Sequence, residues 1–100
     1  MTVKEITDVE FEAEVLNSAE TVLVEFGAKW CGPCKKQLPV LEQFAQDENV
    51  KVFKVDIDED PALAKQFSIK NIPAIFAFKD GKVTQSLTGL TNATKLKTLL

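Results

Sequence analysis

The chain has 100 residues, 45% of them hydrophobic, and 12 basic against 15 acidic residues for a formal charge of -3; every basic residue is Lys, and His is absent. A single domain over residues 1–100 is expected, long enough to bury one core without disulfide staples. Without Arg the chain lacks a bidentate reader of phosphate or base edges, which argues against nucleic acid as a partner. With no His and two Cys it lacks the typical further ligands of a four-coordinate zinc site and the thiolates of a four-thiolate cluster, so no metal and no cofactor is expected.

In chain order, Val3 to Ile6 is a candidate edge strand, and Thr7-Asp8-Val9-Glu10 has the pattern of a capping box. Phe11, Val15 and Leu16 then follow at helical spacing, predicting a first helix from about Asp8 to Asn17. Thr21 to Phe26 is nearly continuously apolar and β-branched, as a central strand covered on both faces would be. Glu25 interrupts it, and a carboxylate there is expected to be partly buried, where desolvation raises its pKa toward the range useful for proton transfer.

The strand leads into Trp30-Cys31-Gly32-Pro33-Cys34, which holds both cysteines. Leu38, Leu41 and Ala45 continue the phase set by Cys34, predicting a helix to about Asp47 that Pro39 should kink. Val50 to Ile57 reads as a second buried strand, and the helix between makes a parallel βαβ unit. The acidic stretch Asp56 to Asp60 is a strand end and a helix cap, with Asp60-Pro61 opening a short helix through Leu63, Ala64 and Phe67. Pro73 begins a strand over Ala74 to Phe78, and Asp80-Gly81 is a two-residue hairpin turn into Val83 to Leu87. Asn92 to Leu100 closes the chain as an amphipathic helix with Thr91 as its cap. The predicted architecture is an α/β fold: a mixed sheet of four to five strands with helices on both faces.

Two cysteines three apart at the start of a helix come from one turn of backbone, close enough to close a small disulfide ring. The unpaired N–H groups of the first turn favour thiolate at Cys31, which makes it the expected reactive sulfur. Cys34, one turn inside the helix, is expected to be more buried and to resolve a mixed disulfide. The alternatives are an inert core pair and a metal site, and the second lacks ligands. A dithiol at the carboxyl end of a strand and the start of a helix points to thiol–disulfide exchange.

With these elements in place, the chain resembles the thioredoxin family over essentially its whole length. The matching stretches are Val24 to Lys35, Pro39, Lys54 to Asp58, Asn71-Ile72-Pro73-Ala74, Phe78 to Gly81, and Gly89. The resemblance implies a thioredoxin fold and a protein-disulfide reductase in which Cys31 attacks, Cys34 resolves, and the pair cycles through a Cys31–Cys34 disulfide. It implies client proteins with disulfides and a thioredoxin reductase as electron donor. It also implies a cis bond at Ile72-Pro73, where the residues alone leave cis and trans open. Trp30, Gly32, Pro33, Ile57, Ile72, Pro73, Gly89 and Leu90 would then form a mostly apolar substrate surface around Cys31, suited to main-chain contacts with varied proteins. Gly-Pro between the cysteines resembles reducing members, whereas oxidases and isomerases of the superfamily commonly carry a His there. The N-terminal residues lack the pattern of a signal peptide and no apolar run approaches bilayer length, so a cytoplasmic monomer without membrane contact is expected.

Two positions depart from the family pattern. Glu25 stands where a buried Asp is usual, and it is open to three readings: a proton relay to Cys34, a carboxylate paired with Lys54, or an exposed side chain. Gly27 stands where many members have a large aromatic, either as a simple loss of packing or to permit close backbone approach or an unusual turn conformation. Ala74 replaces a Thr often found after the cis-proline. A binding module whose affinity the dithiol switches is the competing function, and it has no need of an activated nucleophile.

Overall fold

The apolar segments pair into a five-stranded sheet of order β1-β3-β2-β4-β5 in a computed structural model that describes residues 3–100. Strands β1 (Val3–Glu5), β2 (Val22–Gly27) and β3 (Lys51–Asp56) run parallel, while β4 (Ala74–Lys79) is antiparallel to β2 and to β5 (Lys82–Thr88). All six residues of the central β2 are buried, which is why that segment reads as continuously apolar. Helix α2 (Gly32–Glu48) is the crossover that a parallel β2–β3 pair requires, and Pro39 lies inside it.

The period of two along each strand sorts the core into two layers. Val22, Val24 and Phe26 of β2 join Phe53 and Val55 of β3 on the face covered by α1 (Asp8–Phe11) and α3 (Pro61–Gln66). There Phe67 sits between Phe11, Phe26, Phe76 and Phe78 at centroid distances of 5.4 to 6.0 Å, within the favourable range for aromatic pairs. Leu23, Val52, Ile75 and Ala77 point the other way, against Leu41 and Phe44 of α2 and Leu96 of α4 (Ala93–Leu96). Glu25, Gly27, Lys54 and Asp56 share the parity of this second layer, which puts them beneath the start of α2.

Three local expectations are corrected. The first helix is α-helical only over Asp8–Phe11 and continues as a π-helix over Glu12–Leu16, with Asn17 N–H donating to Glu12 C=O at 3.0 Å. Thr7 makes no side-chain cap; Asp60 accepts from the Asp8 N–H at 2.7 Å, and Glu10 turns outward to Lys4 at 2.9 Å. The cap residue of α3 thus satisfies the first orphan donor of α1 and joins the two helix starts, while the Glu10 N–H goes to the Thr7 C=O at 3.1 Å. At the other end Asn92, not Thr91, caps α4 through the Lys95 N–H, and the chain finishes in a 3₁₀ turn over Lys97–Leu99. Thr91 is buried and bonded elsewhere.

The Asp80-Gly81 turn forms as expected, with φ of 53° and 77°, the doubly positive pair that a type I′ hairpin needs.

Candidate active site

Cys31 is the N-cap residue of α2, Gly32 and Pro33 occupy the first two helical positions, and Cys34 follows. Pro33 spends no donor there, because the N–H it lacks would have had no intrahelical partner. The Cys34 N–H donates to Cys31 Sγ at 3.2 Å, so the cap bond normally made to an oxygen is made to sulfur. The two sulfurs are joined as a disulfide, with the Cα atoms 5.2 Å apart. When this bond is reduced, the same N–H and the positive end of the 17-residue helix favour negative charge on Cys31 over Cys34.

The surrounding surface has an exposed and a buried part. Trp30 is 68% exposed and its indole N–H donates to Asp58 at 2.7 Å, so the ring is held at the rim by the acidic loop after β3. Asp56 organises that loop by accepting from the N–H groups of Asp58 and Glu59. Ile57 and Ile72 are half-buried against the cysteines, and the Ile57 N–H closes the corner on Gly27 C=O at 2.9 Å. The Ile72–Pro73 bond is cis, as the resemblance implies, and Pro73 C=O accepts from the Gly89 N–H at 2.8 Å. Gly89 has φ of +90°, where a side chain would be strained, and it passes the chain to Leu90, 55% exposed. Gly32 and Pro33 are exposed beside Cys31.

Gln37 was not singled out in the sequence, yet it is fully buried and its amide clamps Thr91, donating to the C=O at 2.9 Å and accepting from the N–H at 2.7 Å. The clamp fixes the Gly89–Leu90 loop to α2. Its only sequence signal is a polar residue in phase with the apolar face of α2. Gln37→Leu leaves two buried backbone groups unpaired, and a loss on the order of 3 kcal/mol is expected in urea unfolding. An unchanged midpoint would show the clamp to be dispensable.

Beneath the disulfide, β1, β3 and β2 place Glu5, Lys54 and Glu25 on one rung of the sheet. Glu25 is 4% exposed, and its Oε2 has no hydrogen-bond partner among the described residues. Burial pushes its pKa up to about 7, against a smaller downward pull from the Lys54 ammonium. The side chain is therefore buried, which sets aside the exposed reading. Lys54 Nζ lies 3.9 Å from Glu5, and that is its ion pair; toward Glu25 it exerts only a through-space attraction.

A Cβ at Gly27 would stand 3.0 Å from Cys34 Sγ and 3.4 Å from Glu25 Oε1, so the sulfur and the carboxylate both crowd the place a side chain would take. The close approach at Gly27 is by the side chains of Cys34 and Glu25 and not by backbone, and beside it a cavity of about 250 Å³, open to solvent, is lined by Gly27, Glu25, Cys34, Leu38, Lys54 and neighbours. The expectation that Cys34 is the deeper cysteine is corrected accordingly. Cys34 is 8% exposed and Cys31 4%, so both are buried and Cys34 is not the deeper of the two; Cys34 and Gly27 both line the cavity.

Comparison with known proteins matches this frame. The family model described as Thioredoxin covers residues 2–100. Thioredoxin 1 of Synechococcus elongatus is 43% identical over 97 residues, covering 95% of this chain and 91% of that protein. Thioredoxin of Chlorobaculum thiosulfatiphilum is 44% identical over 87 residues (85% and 81%), and Thioredoxin of Porphyra purpurea 35% identical over 102 aligned positions (100% and 95%).

Proposed function

This chain belongs to the thioredoxin family and is a thiol–disulfide oxidoreductase that reduces disulfides through its Cys31/Cys34 dithiol, and in that reaction we propose that Cys31 attacks and Cys34 resolves. The observation that carries the assignment is the Cys34 N–H directed at Cys31 Sγ on the helix cap. A thiolate on Cys31 attacks one sulfur of a client disulfide and expels the other; Cys34 then attacks Cys31, releasing the reduced client and leaving the intramolecular disulfide. Glu25 is the proton acceptor for Cys34 in the second step, supported by its burial, its raised pKa and its place beside the same empty Cβ position. Lys54 tunes that carboxyl group through space rather than by a close pair.

The client lies along Trp30, Gly32, Pro33, Ile57, Ile72, Pro73, Gly89 and Leu90, where exposed apolar area meets a fixed backbone. A thioredoxin reductase supplies electrons, and the chain works as a one-domain cytoplasmic monomer without nucleic acid or membrane partners. Among the described residues no helix is long and apolar enough to cross a membrane. Reduction of insulin disulfides by dithiothreitol should be catalysed by the parent chain. A parent chain that bound clients without accelerating this reaction would instead support the binding-module reading.

A further inference from the structure

Helix α2 carries one residue that its buried face does not need for packing. Gln37 lies one turn after Cys34, in phase with Leu41 and Phe44, where an amide is unfavourable unless it is hydrogen-bonded. Its partners are the N–H and C=O of Thr91, 54 positions away.

Anchoring α4 does not call for these two bonds. Leu96 and Leu99 are buried in one layer with Leu41 and Phe44, and apolar packing there holds the end of the chain to α2. What the amide adds over an apolar side chain is direction, since two bonds to one residue fix the path of the backbone as well as its distance.

The segment so directed is the connection between β5 and α4, residues 89–92. The Gly89 N–H donates to Pro73 C=O at 2.8 Å, and the Gly89 C=O accepts from the Thr91 hydroxyl at 2.9 Å. Leu90 is therefore exposed at an apex whose two flanks are tied, one to Pro73 and the other to α2. Helix α2 also carries Cys31 as its cap and Cys34 in its first turn. One rigid element thus holds the attacking sulfur at its start and, a turn further on, the loop that presents the neighbouring apolar contact.

We propose that Gln37 is a positioning residue for clients: by clamping Thr91 it sets Leu90 in register with Cys31, and so raises affinity for protein disulfides without taking part in the exchange itself. The proposal rests on the client surface assigned above. A client that brings its disulfide to Cys31 meets Leu90 already ordered, so ordering of the loop is not charged against binding. A small disulfide that reaches Cys31 without touching Leu90 gains nothing from the clamp. The amide thereby favours protein disulfides over small ones.

The test compares two oxidants of the reduced protein, insulin over a range of concentrations and bis(2-hydroxyethyl) disulfide. Formation of the Cys31–Cys34 bond is followed by acid quench, alkylation and intact mass. Gln37→Met removes both bonds with an unbranched side chain that fills the place of the amide. Thr91→Val removes the hydroxyl tie to Gly89 and keeps the test sound if Gln37→Met does not fold. Leu90→Ala removes the contact itself.

For Gln37→Met the half-saturating insulin concentration should rise about fivefold while the limiting rate stays within about twofold, the pattern of lost binding rather than lost chemistry. Thr91→Val should move it the same way by about threefold. With bis(2-hydroxyethyl) disulfide both variants should react within about twofold of the parent. Equal slowing toward both oxidants is what a merely structural clamp produces, and it overturns the proposal. So does an unchanged insulin dependence in Gln37→Met, or in Thr91→Val should that one alone fold; a raised half-saturating concentration in Leu90→Ala beside it leaves the client surface standing. No effect of Leu90→Ala removes the client surface, and the proposal with it.

Discussion

Cys31→Ser will reduce insulin no faster than the uncatalysed background, a fall on the order of 10³ or more, as loss of a covalent nucleophile typically brings. Cys34→Ser will lose turnover as well, but with a different residue of chemistry: client proteins will accumulate on Cys31 as mixed disulfides visible on non-reducing gels. The asymmetry follows from the helix cap. Cys31 Sγ receives the Cys34 N–H at 3.2 Å and sits at the positive end of α2, an arrangement that favours negative charge on that sulfur. Among the described residues no N–H donates to Cys34 Sγ, and both that sulfur and Glu25 Oε1 lie beside the position a Gly27 Cβ would occupy. Removing Cys34 therefore stops the second displacement and spares the first. Client capture by Cys31→Ser in place of Cys34→Ser would reverse the assigned roles.

The second large effect is on stability. Burial lifts Glu25 from 4.5 to about 7 in the folded protein, with Lys54 opposing. A carboxyl group raised in this way binds more protons folded than unfolded between those two values, so stability falls as pH rises through that window and is level on either side. The shift corresponds to about 3 kcal/mol, fully present as a penalty above neutrality and absent below the ordinary carboxylate range. Glu25→Gln removes the titration. Urea unfolding of the oxidised parent and variant should therefore show the variant gaining about 3 kcal/mol relative to the parent between about pH 4 and about pH 8. A difference that stays constant across that range would mean that Glu25 ionises freely. In the reduced protein the same substitution should displace the pH profile of Cys34 alkylation, and an unmoved profile would remove Glu25 from the proton path.

Much of the site is legible residue by residue because its chemistry is local. The Cys-Gly-Pro-Cys corner follows from three adjoining facts: an apolar strand, a helix phase that starts at Cys34, and a proline placed where a helix has no use for its N–H. Asp60-Pro61 and Asp80-Gly81 are read for the same reason, since a cap and a hairpin turn are decided within four residues. Where a distant group outcompetes the local one, the reading fails. The first N–H of α1 is bonded by Asp60, 52 positions away, with no cap from Thr7, and the Thr91 backbone is held by Gln37 while its hydroxyl turns back to the Gly89 C=O. A side chain that arrives from another element with better geometry wins over a neighbour in sequence, and no short pattern records it.

By itself the amino-acid sequence determined the α/β frame, the parallel crossover and the placing of both sulfurs on a helix start, because each depends on periodicity and on donors within a turn or two. Tertiary structure alone decided what lies under them. Strand register set Glu5, Lys54 and Glu25 on one rung and turned Lys54 toward Glu5; the approach of α2 brought Cys34 onto Gly27 and left the space beside it. Register and helix approach are set by how the two core layers pack, which involves the whole sheet at once. The order of burial of the two cysteines is a product of that packing.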